Sequence, residues 1–198
     1  MQIDTRQILS RVRIAAIIAA AALPLAASTG TGLQGVGNFE KVNEHVYRGA
    51  QPTEQGFQNL AKLGILTVID LQETGSPRSM AEEKWVKAAG MNYISVPMEG
   101  MQTPSDRSIA KVLAVLEDTS TGPVFVHCHR GADRTGGVIA CYRIEHDHWA
   151  NDKALHEARS MGMSWYQLAI QSYVRNYRPA TPVVVEAAAS APITALPN

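Results

Sequence analysis

A run of β-formers, Val124-Phe125-Val126, leads from Pro123 into a polar, glycine-containing turn, and a helical pattern opens directly after it. A strand that feeds a helix through one short turn is the building unit of a parallel sheet. The same alternation runs through most of the chain. Val42–Arg48 reads as a short extended or hairpin region, with Val46 and Tyr47 as β-formers. Ile65–Leu71 is a β-rich run of the kind buried on both faces, and Met91–Val96 is a third strand. Between them Thr53 can cap a helix carrying Phe57, Leu60 and Leu63 on one face, stopped by Gly64. Further helices are predicted around Ala81–Ala89, from Pro104-Ser105 through Leu116, over Thr135–His146, near Asp152–Ser160 and over Trp165–Tyr177. The pattern predicts a single α/β domain with a mainly parallel central sheet and helices on both faces.

Composition narrows the function. The chain has 198 residues, 45% apolar, enough to fill one core. Lys+Arg and Asp+Glu are equal at 18 each, so no global field points to nucleic acid. Two cysteines make neither a disulfide scaffold nor a four-thiolate zinc site.

The two ends read as something other than fold. Arg6, Arg11 and Arg13 precede the apolar run Ile14–Leu25, and Ala26-Ala27-Ser28 offers small residues for cleavage. This is a secretory signal pattern over residues 1–28, shorter than the ~20 apolar residues a membrane span needs. The expectation is an exported protein, periplasmic or secreted, touching a membrane only through that segment if it stays uncleaved. Gly30, Gly32 and Gly35 spell GxGxxG, but no strand precedes them and no helix follows, so residues 29–37 read as a linker. Residues 179–198 are rich in Pro, Ala, Val and Thr with Glu186 as the single charge, which reads as a disordered tail. The domain is expected over 38–178.

Chemistry concentrates in His127-Cys128-His129-Arg130-Gly131-Ala132-Asp133-Arg134-Thr135-Gly136, in which five residues separate Cys from Arg. Successive backbone N–H groups in such a turn form an anion nest, and the helix N-terminus adds unpaired donors. Arg134 can grip two oxygens of a phosphoryl group. A cysteine at the base of this positive cup is favoured as thiolate and stands in line to attack phosphorus. Gly131 lets the backbone approach the anion, and Thr135 can hydrogen-bond the sulfur.

His-Cys-x5-Arg-Thr-Gly between an apolar strand and a helix resembles the protein tyrosine phosphatase superfamily, in its dual-specificity branch. Asn38–Gln72, with Val46-Tyr47-Arg48-Gly49-Ala50-Gln51-Pro52, is similar to plant and fungal atypical dual-specificity phosphatases and their bacterial relatives. The resemblance spans about Phe39–Tyr177. It implies a cysteine-dependent phosphatase forming a phosphocysteine intermediate, without metal or cofactor. Cys128 would be the nucleophile and Arg134 the phosphate clamp. Backbone N–H groups of His129, Arg130, Gly131, Ala132, Asp133 and Arg134 would bind the phosphate, with His127 orienting the loop. The implied substrate is a phosphorylated protein, with an inositol phosphate or a phosphoinositide as the alternative; a catalytically weak phosphate-binding module is the other reading.

The general acid has three candidates. Asp133 lies inside the loop, where related lipid phosphatases place a proton donor. Asp106 stands twenty-two residues before Cys128, as an Asp does in the plant and fungal branch. Glu99 is the nearest carboxyl in Pro97–Met101. Asp106 also suits a helix N-terminal charge, and Asp133 a partner for Arg130. His146-Asp147-His148 reads as a solvated helix end, Cys141 as core, and Met161, Met163 and Trp165 as core or as the lip of the cleft.

Overall fold

The computed structural model describes residues 32–75 and 77–179. Residues 1–28, expected to be a signal segment, and residues 180–198 of the expected tail lie outside the described residues. A short hairpin comes first: β1 (Glu40–Lys41) pairs antiparallel with β2 (Val46–Ala50), and the Asn43 side chain accepts from the N–H groups of His45 and Val46 at the turn. Then follow α1 (Glu54–Lys62), β3 (Thr67–Asp70), α2 (Pro77–Ala88), β4 (Asn92–Ser95), α3 (Asp106–Glu117), β5 (Val124–Cys128), α4 (Asp133–Glu145), α5 (Asn151–Ser160) and α6 (Leu168–Asn176). The strands form one sheet in the order β1-β2-β5-β3-β4, parallel except for β1.

Strand alternation sorts the core into two layers. Val68 and Phe125 face one side with Phe57 and Leu60 of α1 and Val86 of α2. Ile69, Val124 and Val126 face the other with residues of α3, α4, α5 and α6, such as Val112, Val138, Leu155 and Ile170. The helices therefore cover both faces. Each of these fully buried side chains contributes about 1.5–3 kcal/mol of apolar transfer. All five residues of β5 are buried, because it lies between β2 and β3 with a helical layer on each side.

Local signals set the helix ends. Thr53 caps α1, its hydroxyl accepting from Gly56 N–H, and Gly64 turns the chain at φ +94°. Ser105 caps α3 by accepting from Ser108 N–H.

Two readings are corrected. Residues 33–37 are not a free linker. Val36 is buried in the α1/α2 layer with Leu33 packed beside it, Gly35 O accepts from Thr53 N–H, and Gly37 O accepts from Ala50 N–H. Nor does the last helix begin at Trp165. Residues 163–167 form a loop because their backbone is committed elsewhere: Ser164 N–H donates to Asp133, and the carbonyls of Ser164 and Trp165 accept from the Gln171 side chain.

Candidate active site

The central strand β5 delivers Cys128 to the carboxyl edge of the sheet, where ligands of such sheets bind. Five residues later α4 begins at Asp133. Gly131 has φ +68°, and a Cβ there would stand 2.2 Å from the carbonyl carbon of Gly49 in β2. Conformation and space both require glycine at this point.

Cys128 is 2% exposed. Burial alone would push its thiol up. Donation from the Thr135 hydroxyl and N–H, the Arg134 charge and the Gly131 N–H outweigh burial and hold the thiol below its ordinary value. The Thr135 hydroxyl is itself buried and lies beside the sulfur, whose anion it stabilises. Arg134 is anchored through one nitrogen: Nη1 donates to Met98 O at 3.1 Å and, more weakly, to Leu71 O at 3.4 Å. Those carbonyls follow β3 and β4, so the sheet edge aims the guanidinium. Its remaining donors are free for an oxyanion.

Cys128, His129, Arg130, Asp133 and Arg134 line one cavity of about 200 Å³, closed on the far side by Gly100, Met101 and Gln167. A phosphoryl group fits a space of this size. Gln167 Nε2 donates to Gly100 O at 2.9 Å, tying the wall to the loop before α6.

His127 lies behind Cys128, fully buried, its ring stacked on Phe125 with centroids 5.6 Å apart and edge-on to Phe57. Its Nε2 is 2.7 Å from Glu82 Oε1, and Glu82 is equally buried. Burial pulls the imidazole pKa down, but Glu82, Asp70 and Cys128 together hold it above its ordinary value, which favours the charged form. Gln51 Nε2 donates to the other Glu82 oxygen at 2.7 Å, and Tyr93 donates to Asp70 at 2.9 Å. Asp70, Glu82 and His127 place ligand-type atoms within 4.8 Å of one another, the one such group among the described residues. His127 Nε2 and Glu82 Oε1 are within ion-pair distance, but neither atom nor His127 Nδ1 has a hydrogen-bond partner among the described residues.

The candidate acids separate. Asp133 lies in the cup, but both its oxygens are engaged: Oδ1 accepts from Ser164 N–H at 2.8 Å, and Oδ2 pairs with Arg130 at 2.6 Å. Partial burial raises its pKa, and these donors more than reverse that, leaving it below the ordinary carboxylate value. Asp106 is not brought to the cup. It sits in the first turn of α3, where the helix dipole favours a carboxylate, and accepts from Tyr173 of α6 at 2.8 Å. It lines a separate cavity of about 580 Å³ between α3 and α6, which shares no lining residue with the cup. Glu99 is exposed and lines small clefts with Pro97 and Met98, again apart from Cys128.

Of the loop residues, His129 and Arg130 are exposed, and Ala132 is buried as the N-cap position of α4. Cys141 is buried in the core, a free thiol like Cys128. His146 pairs with Glu117 at 2.8 Å, and Asp147 with Arg143 at 2.7 Å, so His146-Asp147-His148 is a helix end. The sequence assigns no role to three contributors: Glu82, Arg48 and Asn38. Arg48 alone had a signal, as a charged residue inside the β-forming run Val46–Ala50.

A parallel sheet ending in a Cys-x5-Arg cup at the start of a helix defines a phosphatase-type domain of the dual-specificity fold. Over residues 30–176 the chain matches the family described as PTP-NADK, DSP-PTPase phosphatase fused to NAD+ Kinase, and it belongs to that family. It is 28% identical over 137 residues to the inositol diphosphatase DSP3 of Arabidopsis thaliana, covering 66% of this chain and 65% of that protein. It is 31% identical over 130 residues to the dual specificity protein phosphatase TpbA of Pseudomonas aeruginosa, covering 63% of this chain and 55% of that protein. This chain thus spans less than two thirds of the length of either relative. The crystal structure of P. aeruginosa TpbA superposes with a TM-score of 0.62 at 27% identity, covering 71% of this chain and 85% of that one. The core catalytic domain of the PP-IP phosphatase SIW14 from S. cerevisiae gives 0.65 at 24% identity, over 74% and 89%, and supports the fold.

Proposed function

We propose that this protein is a cysteine-dependent phosphatase of the tyrosine/dual-specificity type. The observation that carries the reading is the depressed Cys128 thiol at the base of a phosphate-sized cup that Arg134 closes. The Cys128 thiolate attacks phosphorus; an S–P bond forms and the bond from phosphorus to the leaving oxygen breaks. Arg134 and the inward N–H groups hold the equatorial oxygens throughout, where charge redistributes. Water then attacks the phosphocysteine, the S–P bond breaks, and inorganic phosphate leaves the thiolate behind. Donation from Thr135 eases that second departure by stabilising the sulfur anion.

A second reading, an inositol diphosphatase, is favoured by the state of the carboxylates. Asp106 and Glu99 stand outside the cup and Asp133 is held ionised by Arg130 and Ser164. Such a site suits leaving groups that depart without a proton. The phosphate released from a phosphoanhydride is one; the phenolate of phosphotyrosine is another, and phosphoserine is a poor one. The test is turnover of an aryl phosphate, phosphotyrosine and phosphoserine peptides, and an inositol diphosphate by the chain. No release of phosphate from any of them overturns the phosphatase reading, and the ratio between the last two classes decides the substrate. Export is proposed from the arginine-flanked apolar run alone. N-terminal sequencing of the protein from its host should find a start near Thr29, and full-length protein in the cytosol would overturn it.

A further inference from the structure

We infer that Arg48 is a positioning residue of the phosphate cup, acting through the Gly131–Ala132 peptide, with Asn38 as a second donor to the same carbonyl. The inference rests on the reading of the cup as an oxyanion site.

Arg48 lies in β2 and is 1% exposed. Its Nη2 donates to Gly131 O at 2.8 Å, while Nε and Nη1 have no hydrogen-bond partner. Glu40 and Glu157 act on it only through their fields, and no carboxylate pairs with it among the described residues. Burial pushes its pKa down, but from so high a start that the guanidinium stays charged. A buried charge with one carbonyl partner is an expensive way to fill space, and an apolar side chain would fill it at less cost.

The carbonyl explains the arrangement. The described peptide bonds are all trans, so a C=O and the N–H of the same peptide point opposite ways. Arg48 and Asn38, the latter at 3.0 Å, draw Gly131 O toward β2. The N–H of Ala132 is thereby turned to the concave side of the loop. The same logic operates two residues earlier: Gln51 N–H, just after β2, donates to His129 O at 3.3 Å, which turns the Arg130 N–H inward. A carbonyl facing a bound phosphate would repel it, whereas an N–H attracts it. Gly131 is the residue whose peptide can flip most freely, because glycine occupies both signs of φ. The close contact with Gly49 demands glycine there, and glycine in turn demands a clamp. Asn38, itself at φ 48°, also donates to Met161 O at 3.0 Å, tying the cup to the loop that carries Ser164.

The test compares the full chain with Arg48→Met and Asn38→Gly; glycine keeps the left-handed backbone at that position. Two readouts are used: competitive inhibition of aryl phosphate turnover by inorganic phosphate, and the pH dependence of Cys128 alkylation by iodoacetamide. Loss of a charged donor to the loop should weaken phosphate binding roughly 10- to 100-fold in Arg48→Met, and several-fold in Asn38→Gly. The thiol should titrate at higher pH in both, while circular dichroism reports a folded chain. A purely structural Arg48 would lower the unfolding midpoint and leave both readouts of the folded fraction unchanged, which overturns the inference. Should Arg48→Met fail to fold, Asn38→Gly decides alone by the same criteria. Wild-type chain that neither turns over aryl phosphate nor binds phosphate overturns the cup reading and the inference together. Wild-type binding with unchanged variants overturns the inference alone.

Discussion

His127 and Glu82 meet 2.7 Å apart in the layer beneath the catalytic loop, with neither side chain exposed. A charged pair with no access to water is held only by mutual attraction and by the groups around it, here Gln51 on the far oxygen of Glu82. It joins α2 to the residue that precedes the nucleophile. Removing one partner leaves the other as an uncompensated buried charge. Glu82→Gln should therefore cost about 3–5 kcal/mol of stability, as measured by urea unfolding. A loss below about 1 kcal/mol would show that the pair is neutral.

The pair also sets a pH dependence with a definite sign. The His127 pKa is raised on folding, so its stabilising contribution is complete below the unfolded value near 6.5 and disappears as pH rises through the folded one. The Cys128 thiol is lowered on folding and acts oppositely: its contribution is present above the unfolded thiol value and is lost as pH falls through the folded one. The two must be separated. In Cys128→Ser, the unfolding free energy should fall as pH rises above the unfolded imidazole value of about 6.5. The decline should be shallower in Cys128→Ser with His127→Gln, in which other titrations cancel. Parallel curves for the two proteins would contradict a charged His127.

Legibility in the sequence followed chemistry that is local. Strand β5, its loop and α4 could be read because strand, turn and helix signals follow one another without a break. Thr53 and Ser105 could be read because capping acts over three residues. Glu82 could not be read. In Ala81-Glu82-Glu83-Lys84 it looks like a solvated helix charge, and only the packing of α2 against β5 buries it while Glu83 stays exposed. Residues 33–37 carry no period, so their docking through Val36 was invisible. Trp165 and Tyr166 have helix-compatible spacing with α6, and hydrogen bonds from Ser164 to Asp133 and from Gln171 to the loop overrode it. Asp106 was placed by its separation from Cys128 along the chain, which says nothing of the direction in which α3 leaves the sheet.

Of the two cysteines, one should react. Burial and Glu145 push the Cys141 thiol far up, while Cys128 is held low. At neutral pH iodoacetamide should label a single thiol, identified as Cys128 by peptide mapping, and inorganic phosphate should protect it. Thr135→Val removes one donor to the sulfur and should raise the pH at which labelling sets in. Equal labelling of both cysteines would contradict the electrostatics of the cup.

Gly131→Ala joins two penalties. A residue with a Cβ is strained at φ +68°, and its Cβ would overlap the Gly49 carbonyl carbon at 2.2 Å. The loop must leave β2, so turnover should fall by at least ~10²-fold with the thiol titrating nearer its ordinary value. Wild-type turnover would show that the loop does not rest on β2 as described.

The acid assignment yields the sharpest test, because the three carboxylates now have different surroundings. A general acid must be protonated when the leaving group departs, and its removal hurts poor leaving groups more than good ones, by about 10²–10⁴-fold where proton transfer limits the rate. Asp133 is held ionised by Ser164 N–H and Arg130, so its work in this conformation is to fix the loop to the segment before α6. Asp133→Asn should slow aryl phosphate and phosphoserine peptide by similar factors, the signature of lost geometry. Asp106→Asn should leave both rates within about twofold and lower stability by ~0.3–1 kcal/mol through the helix dipole and the bond from Tyr173. Glu99→Gln should likewise spare aryl phosphate. A selective loss on phosphoserine in any of the three would identify that residue as the donor. For Asp133 it would further mean that substrate binding displaces Arg130 and frees the carboxylate to take up a proton. No selective loss in any of them would leave a site that works on leaving groups needing no proton, as the closed pairing of Asp133 and Arg130 at 2.6 Å implies.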